Sequence, residues 1–274
     1  MAVRKTDALI LKVLPYRESS CLVYLFTKQH GLVNGIAKGV KRKKSGSPPV
    51  ERGMRAELIV YSKPQRELHT IAGIQTLDMY EGIRAGLEKS ALRDAAFEMV
   101  LKTMKHSEPH ADLFDFFDRF LSGISGTPLC SCFPRALWRF YIDYARILGF
   151  GANFFNCAGC GKPLDTIAGG YLIHEKGGCL CEQCLPQKPA ASYLPGAVLE
   201  HIRSQPDRAG PASVSFPVNT VQRITRLLAS YCAYHCDIRP DFNSLDFLDD
   251  LLKGQCSSFY REGMIHQAFG AREC

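Results

Sequence analysis

No uninterrupted apolar run of about 18 residues occurs in this 274-residue chain, so no segment is suited to cross a bilayer as a helix. A P-loop, a GxGxxG turn after a strand, a GxSxG elbow and an HExxH helix are also missing, which removes the common phosphate cradles, dinucleotide folds, serine hydrolases and zinc proteases. There is no internal repeat and no long low-complexity tract, and Met1 to Asp7 leads into an alternating strand with no apolar stretch of signal length. A soluble, cytosolic protein is the expectation. In a reducing compartment the 12 cysteines divide into metal ligands and buried small hydrophobes, with disulfides the minor reading. Asp246, Asp249 and Asp250 sit at helical spacing with Phe247 and Leu248, as on an amphipathic surface helix, and no catalytic constellation stands out.

What is present begins with length. A chain of this size exceeds the usual reach of one core and is expected to form more than one domain. The formal net charge of +7 is unevenly placed: residues 1–80 hold 14 Lys and Arg against 6 Asp and Glu, and the remainder holds 20 against 21. Basicity confined to one domain points to a polyanion, of which nucleic acid is the usual one, with a solvated charged surface as the plainer alternative.

The sharpest motif is Cys157 and Cys160, a gap of 20 residues, then Cys181 and Cys184. Two Cys-x2-Cys knuckles turn four thiolates onto one ion, and a closed tetrahedral site of this kind builds structure and does not activate water. Gly159, Gly161, Gly177 and Gly178 supply backbone freedom around it. Structural zinc is therefore expected. Cys179 and, more weakly, His174 are competing ligands, but Cys181 with Cys184 is the better chelate and leaves Cys179 as a packing residue or free thiol. Cys232 and Cys236, at i and i+4 beside His235, offer only two ligands and read better as core.

From residue 8 to 76 the pattern is short β runs broken by turns, with strands expected over 8–14, 21–27, 31–38, 55–61 and 67–74. Five strands in about 70 residues fit an OB-type barrel, and an SH3-like barrel fits the same periodicity. After Asp78 the spacing becomes helical, with apolar faces over 91–104, 111–121, 135–148, 194–203 and 218–235, and a last helix over 241–253. The expected class is α+β multidomain. An OB-type nucleic-acid-binding domain spans 1–80, a helical domain spans 81–152 and 186–274, and a four-cysteine zinc module at 153–185 is inserted in the helices.

Lys38, Lys41, Arg42, Lys43 and Lys44 place five basic residues in seven, followed by flexible Gly, Ser and Pro, a loop that can follow a phosphate backbone without reading bases. Tyr16, Tyr24, Phe26 and Tyr61 are candidate base-stacking residues, with core packing favoured for Phe26. Arg135, Arg139 and Arg146 form a helical stripe suited to an acidic peptide, to DNA, or to plain solvation.

The order of parts, together with Ala8 to Lys12, Tyr16 to Ser19, Leu25 to Gly31, Ala37 to Arg42, Leu148 to Phe150 and the two cysteine knuckles, resembles the RecO family of DNA repair and recombination mediators. The resemblance spans most of the chain and is strongest in 8–44 and 135–185. Ser20 stands where the family commonly has an acidic residue, Cys179 is an extra thiol, and the match fades after about residue 190. Some members lack the cysteines, which implies a zinc that supports the fold. The resemblance further implies no enzymatic activity. It implies binding of single- and double-stranded DNA, annealing of complementary strands, and partnership with RecR and with the C-terminal tail of single-strand DNA-binding protein (SSB) to help load RecA. Arg139 is the residue chosen for the tail. A zinc-containing RNA- or ribosome-associated adaptor is the alternative, and a zinc-dependent hydrolase would need an open coordination position.

Overall fold

Alternation in the first 78 residues is realised as five strands, β1 (Ala2–Tyr16), β2 (Ser20–Thr27), β3 (Gly31–Ala37), β4 (Arg55–Ser62) and β5 (Leu68–Asp78). The computed structural model describes residues 2–40, 50–62, 68–106, 108–126, 133–164, 168–185, 187, 192–204 and 216–253. The strands close a barrel in the order β1-β2-β3-β5-β4, with β3 and β5 parallel and the other pairs antiparallel. That order is OB-type and decides against the SH3-like alternative.

β1 runs well beyond the expected 8–14 because it serves two neighbours. Its first half pairs with β4 from Ala2 to Leu9, and its second half pairs with β2 from Ala8 to Tyr16. The register shifts between Ile10 and Lys12, a bulge at Leu11 that bends the strand from one partner to the other. Ala8, Ile10, Val23, Leu25, Val33, Ala56, Leu58, Val60 and Ile71 fill the interior.

The outward face of the hairpin is apolar too where β1 pairs Leu9 with Phe26. Short α1 (Glu81–Arg84) and the longer α2 (Leu87–Thr103) and α3 (Ala111–Gly126) follow the barrel, and α3 buries Leu113, Phe114, Phe117 and Leu121. Phe26 meets Phe114 and Phe117 at ring-centroid distances of 5.8 and 5.9 Å. Phe26 is thus a packing residue, as expected, but on the outside of the barrel beneath a helix.

Polar contacts fix the same helices. Lys28 reaches Asp115 at 2.7 Å, Arg52 reaches Asp94 at 2.9 Å, and Arg55 joins Asp7 at 2.8 Å to Asp118 at 2.7 Å, while the Tyr80 hydroxyl donates to Asp118 at 2.5 Å. Gly31 has φ +63°, and a Cβ there would lie 2.0 Å from the Glu108 carbonyl oxygen, so the turn after β2 needs glycine for both conformation and space. Met1–Pro128 forms one compact unit.

Leu129–Cys274 is the second. It holds α4 (Phe133–Ile147), α5 (Gly196–Arg203), α6 (Val218–His235) and α7 (243–253) together with a three-stranded sheet in the order β7-β6-β8, built from β6 (Gly170–Ile173), β7 (Gly178–Leu180) and β8 (Tyr193–Leu194). Trp138 on α4 donates its indole N–H to Thr225 on α6 at 2.9 Å, which satisfies two buried polar groups. The helix bounds lie within a few residues of those expected, whereas the small strands around the cysteines carried no periodic signal in the sequence.

Candidate metal centre and nucleic-acid interface

Local backbone geometry brings the two knuckles together. The Cys157 amide donates to the Lys162 carbonyl at 2.8 Å and the Gly161 amide returns to Cys157 at 2.9 Å, closing the first turn with Gly161 at φ +73°. Gly159 passes so close that a Cβ would sit 3.2 Å from the Cys184 sulfur. The second knuckle follows β7 and closes through the Cys184 amide on Cys181 at 3.1 Å.

As a result the four sulfurs of Cys157, Cys160, Cys181 and Cys184 all lie within 4.8 Å of one another, and Cys160 and Cys181 are 3.8 Å apart. Zinc–sulfur bonds of ~2.3 Å in a tetrahedron give edges of ~3.8 Å, so the donor set fits a closed thiolate site. Burial disfavours the Cys157 thiolate, yet amide N–H donors from Cys181, Cys160 and Gly159 outweigh it and bring the thiol down to about 6. The Cys181 and Gly159 bonds are 3.2 and 3.4 Å. Hydrogen bonds to Cys160, Cys181 and Cys157 hold the Cys184 thiol up to about 12. Four thiolates this close repel one another, and a divalent cation is what lets all four ionise.

The competing ligands have other occupations. Cys179 is fully buried, outside this cluster, and burial pushes its thiol up to about 12. His174 packs its ring on Tyr231 and Tyr234 at 5.7 and 5.5 Å. Cys232 is buried and donates to the Tyr141 carbonyl at 3.4 Å, and burial raises Cys236 to about 11. Among the described residues the four knuckle cysteines are the one group of three or more His, Cys, Asp or Glu able to hold an ion.

On the first unit Lys38 is exposed just past β3, and Lys41, Arg42, Lys43 and Lys44 lie outside the described residues. Tyr24 and Phe26 share the outward face of β2, as alternation predicts, but only Phe26 is covered. Tyr16 and Tyr24 remain half-buried on that face, and Tyr61 is half-buried on β4 opposite Val3. The sequence reading missed Lys12 and Arg17, whose cations lie 5.6 Å from the Tyr24 ring and 5.4 Å from the Tyr16 ring. The hairpin register Lys12 with Tyr24 would have suggested the first pair.

The arginine stripe lies on α4, where Arg139 and Arg146 both contact Asp143 at 2.7 Å, and Arg135 occupies the same helix. The acidic face of α7 is likewise engaged: Asp246 and Asp249 hold Arg226 at 2.7 and 2.6 Å, and Asp250 pairs with Lys253 at 3.1 Å. No described helix is long and apolar enough to cross a membrane.

Two family models match the chain, Recombination protein O N terminal over residues 1–80 and Recombination protein O C terminal over residues 84–244. The DNA repair protein RecO of Geobacter metallireducens is 32% identical over 259 residues, covering 92% of this chain and 99% of that protein. The proteins of the same description from Prosthecochloris aestuarii and an Anaeromyxobacter species are 26% and 25% identical, covering 86% and 90% of this chain and 93% and 96% of their own lengths.

Proposed function

This chain belongs to the RecO family of DNA repair proteins, and on that premise we propose that it is a non-enzymatic recombination mediator that binds single- and double-stranded DNA and anneals complementary strands. The observation that carries the reading is the closed OB-order barrel, placed in the part of the chain that holds the whole excess of positive charge. Lys38, Lys41, Arg42, Lys43 and Lys44 are assigned to phosphates. Holding two strands by their backbones screens their repulsion and leaves base pairing to choose the partner.

The helical region is assigned the acidic C-terminal tail of SSB, with Arg139 as a contact that exchanges Asp143 for the incoming carboxylate. RecR is assigned as the partner with which the protein helps load RecA, and the cytoplasm, at the nucleoid, as its place of action. Zinc is assigned to Cys157, Cys160, Cys181 and Cys184. Filled by four sulfurs, the ion has no position for water and serves the fold of 153–185.

The test is salt-dependent binding of the zinc-loaded full chain to a fluorescent single strand, followed by annealing of SSB-coated complementary strands. Steeply salt-sensitive binding with faster annealing is expected. Replacing the five basic residues with Ala should flatten the dependence of log K on log salt by roughly 3 to 4, about 0.7 for each phosphate no longer neutralised. Unchanged affinity at about 0.1 M salt would refute the loop assignment, and a preference of tenfold or more for structured RNA would favour an RNA adaptor.

A further inference from the structure

The outward face of the β1–β2 hairpin changes character along its length. At one end Leu9 and Phe26 pair beneath Phe114 and Phe117 of α3. Beyond the bulge the same face continues through Lys12 opposite Tyr24, Leu14 opposite Leu22 and Tyr16 opposite Ser20, and β3 widens it with Asn34 beside Tyr24 and Ile36 beside Leu22. Tyr16 and Tyr24 are half-buried there, while Lys12, Arg17 and Lys38 are exposed.

Charge is sorted along the same line. Lys28, Arg52 and Arg55 are taken up by Asp115, Asp94, Asp7 and Asp118 where the helices dock. Lys12, Arg17 and Lys38 make no ion pair with any described residue, two of them stand over the tyrosine rings, and Glu18 is the one carboxylate between Lys12 and Tyr24. A strip of two half-buried aromatic rings, bordered by cations that no described carboxylate holds and that a base could displace from the ring faces toward its phosphates, is complementary to unpaired bases on a phosphate backbone.

We propose that Tyr16 and Tyr24 are base-stacking residues that give this protein a preference for single strands, with Lys12, Arg17 and Lys38 taking the adjoining phosphates. The inference rests on the DNA-binding reading above and adds to the basic loop a surface of different chemistry. Phosphate contacts hold single and double strands alike, whereas a ring accepts a base only when that base is out of its duplex. The two tyrosines sit four residue pairs apart along the hairpin, roughly 13 Å at ~3.3 Å per residue, so they engage separate bases.

The experiment compares the zinc-loaded full chain with its Tyr16→Ala/Tyr24→Ala and Tyr16→Phe/Tyr24→Phe variants, using a labelled oligothymidine and a blunt duplex of equal length at about 0.1 M salt. The alanine variant should lose at least about tenfold for the single strand while duplex binding stays within about twofold, and the phenylalanine variant should bind like the parent. Equal losses for both DNAs, or no loss for either, would overturn the stacking assignment with DNA binding intact. A parent chain that binds neither DNA would overturn the DNA-binding reading, and this one with it. Unchanged metal content and circular dichroism in the variants establish that the fold survives, since neither ring is in the barrel interior.

Discussion

In the barrel unit, Leu25, Leu58 and their neighbours fill an interior and a second apolar layer is sealed by Phe26 against α3, whereas among the described residues of the cysteine module only a few apolar side chains are buried, among them Phe154, Leu164, Leu172 and Leu180. The first region has enough apolar burial to hold its strands closed. The second consists of short strands and turns whose sulfurs converge within 4.8 Å, and on the proposed reading an ion held by those sulfurs supplies the stability that its small core does not. Under the proposed function the two regions rely on different chemistry: a barrel that would supply a surface, and a metal that would supply a shape.

The largest effect should come from breaking the metal side. Chelation, or Cys157→Ser, should expose 153–185 to limited proteolysis while the barrel unit stays protected, because apparent binding energies of structural zinc are about 10–16 kcal/mol near neutral pH. Lowering the pH should act in the same direction. The ion binds thiolates, so protons compete for Cys157 as the pH falls toward about 6, and metal retention measured with a colorimetric chelator should decline on the acid side. Removal of metal that left the module protected would erase the difference between the regions.

A smaller effect on the other side sharpens the comparison. Phe26→Ala removes a buried ring from between barrel and helix and should cost about 3–5 kcal/mol, read as a shift in the denaturant midpoint of Met1–Pro128 with metal content unchanged. Smaller still is Asp118→Asn. It weakens the Arg55 ion pair and the Tyr80 hydrogen bond in a setting that is about a quarter exposed, for a loss of about 1–2 kcal/mol after screening by solvent. High salt should shrink that loss and leave the Phe26 effect untouched.

The cysteine spacing was fully legible, because knuckle geometry is local: the two residues between the cysteines set where each sulfur pair points, with Gly161 closing the first turn. The five strands were legible from alternation, and the longer helices from their apolar faces. Alternation could not reveal which side of β2 faces inward, since Leu25, Phe26 and Thr27 are all buried and the pattern breaks where a helix covers the outer face. Nor could it reveal the bulge at Leu11, which adds one apolar residue to a run already apolar. Contacts such as Lys28 with Asp115 join residues far apart in sequence and leave no periodic trace. The Leu25 to Gly31 run, so prominent in the resemblance, proves to be largely a seat for helices. Phe26 meets α3, Lys28 pairs with Asp115, Thr27 closes the turn by donating to the Gly31 carbonyl at 2.9 Å, and Gly31 makes room for Glu108.

The most direct test of this division is hydrogen exchange on the full chain in four states: with and without zinc, and with and without a saturating single strand. The account predicts that zinc removal raises exchange in 153–185 alone, and that DNA lowers exchange in β1 to β3 and its following loop. Protection of the cysteine module by DNA, or opening of the barrel when zinc is removed, would contradict it.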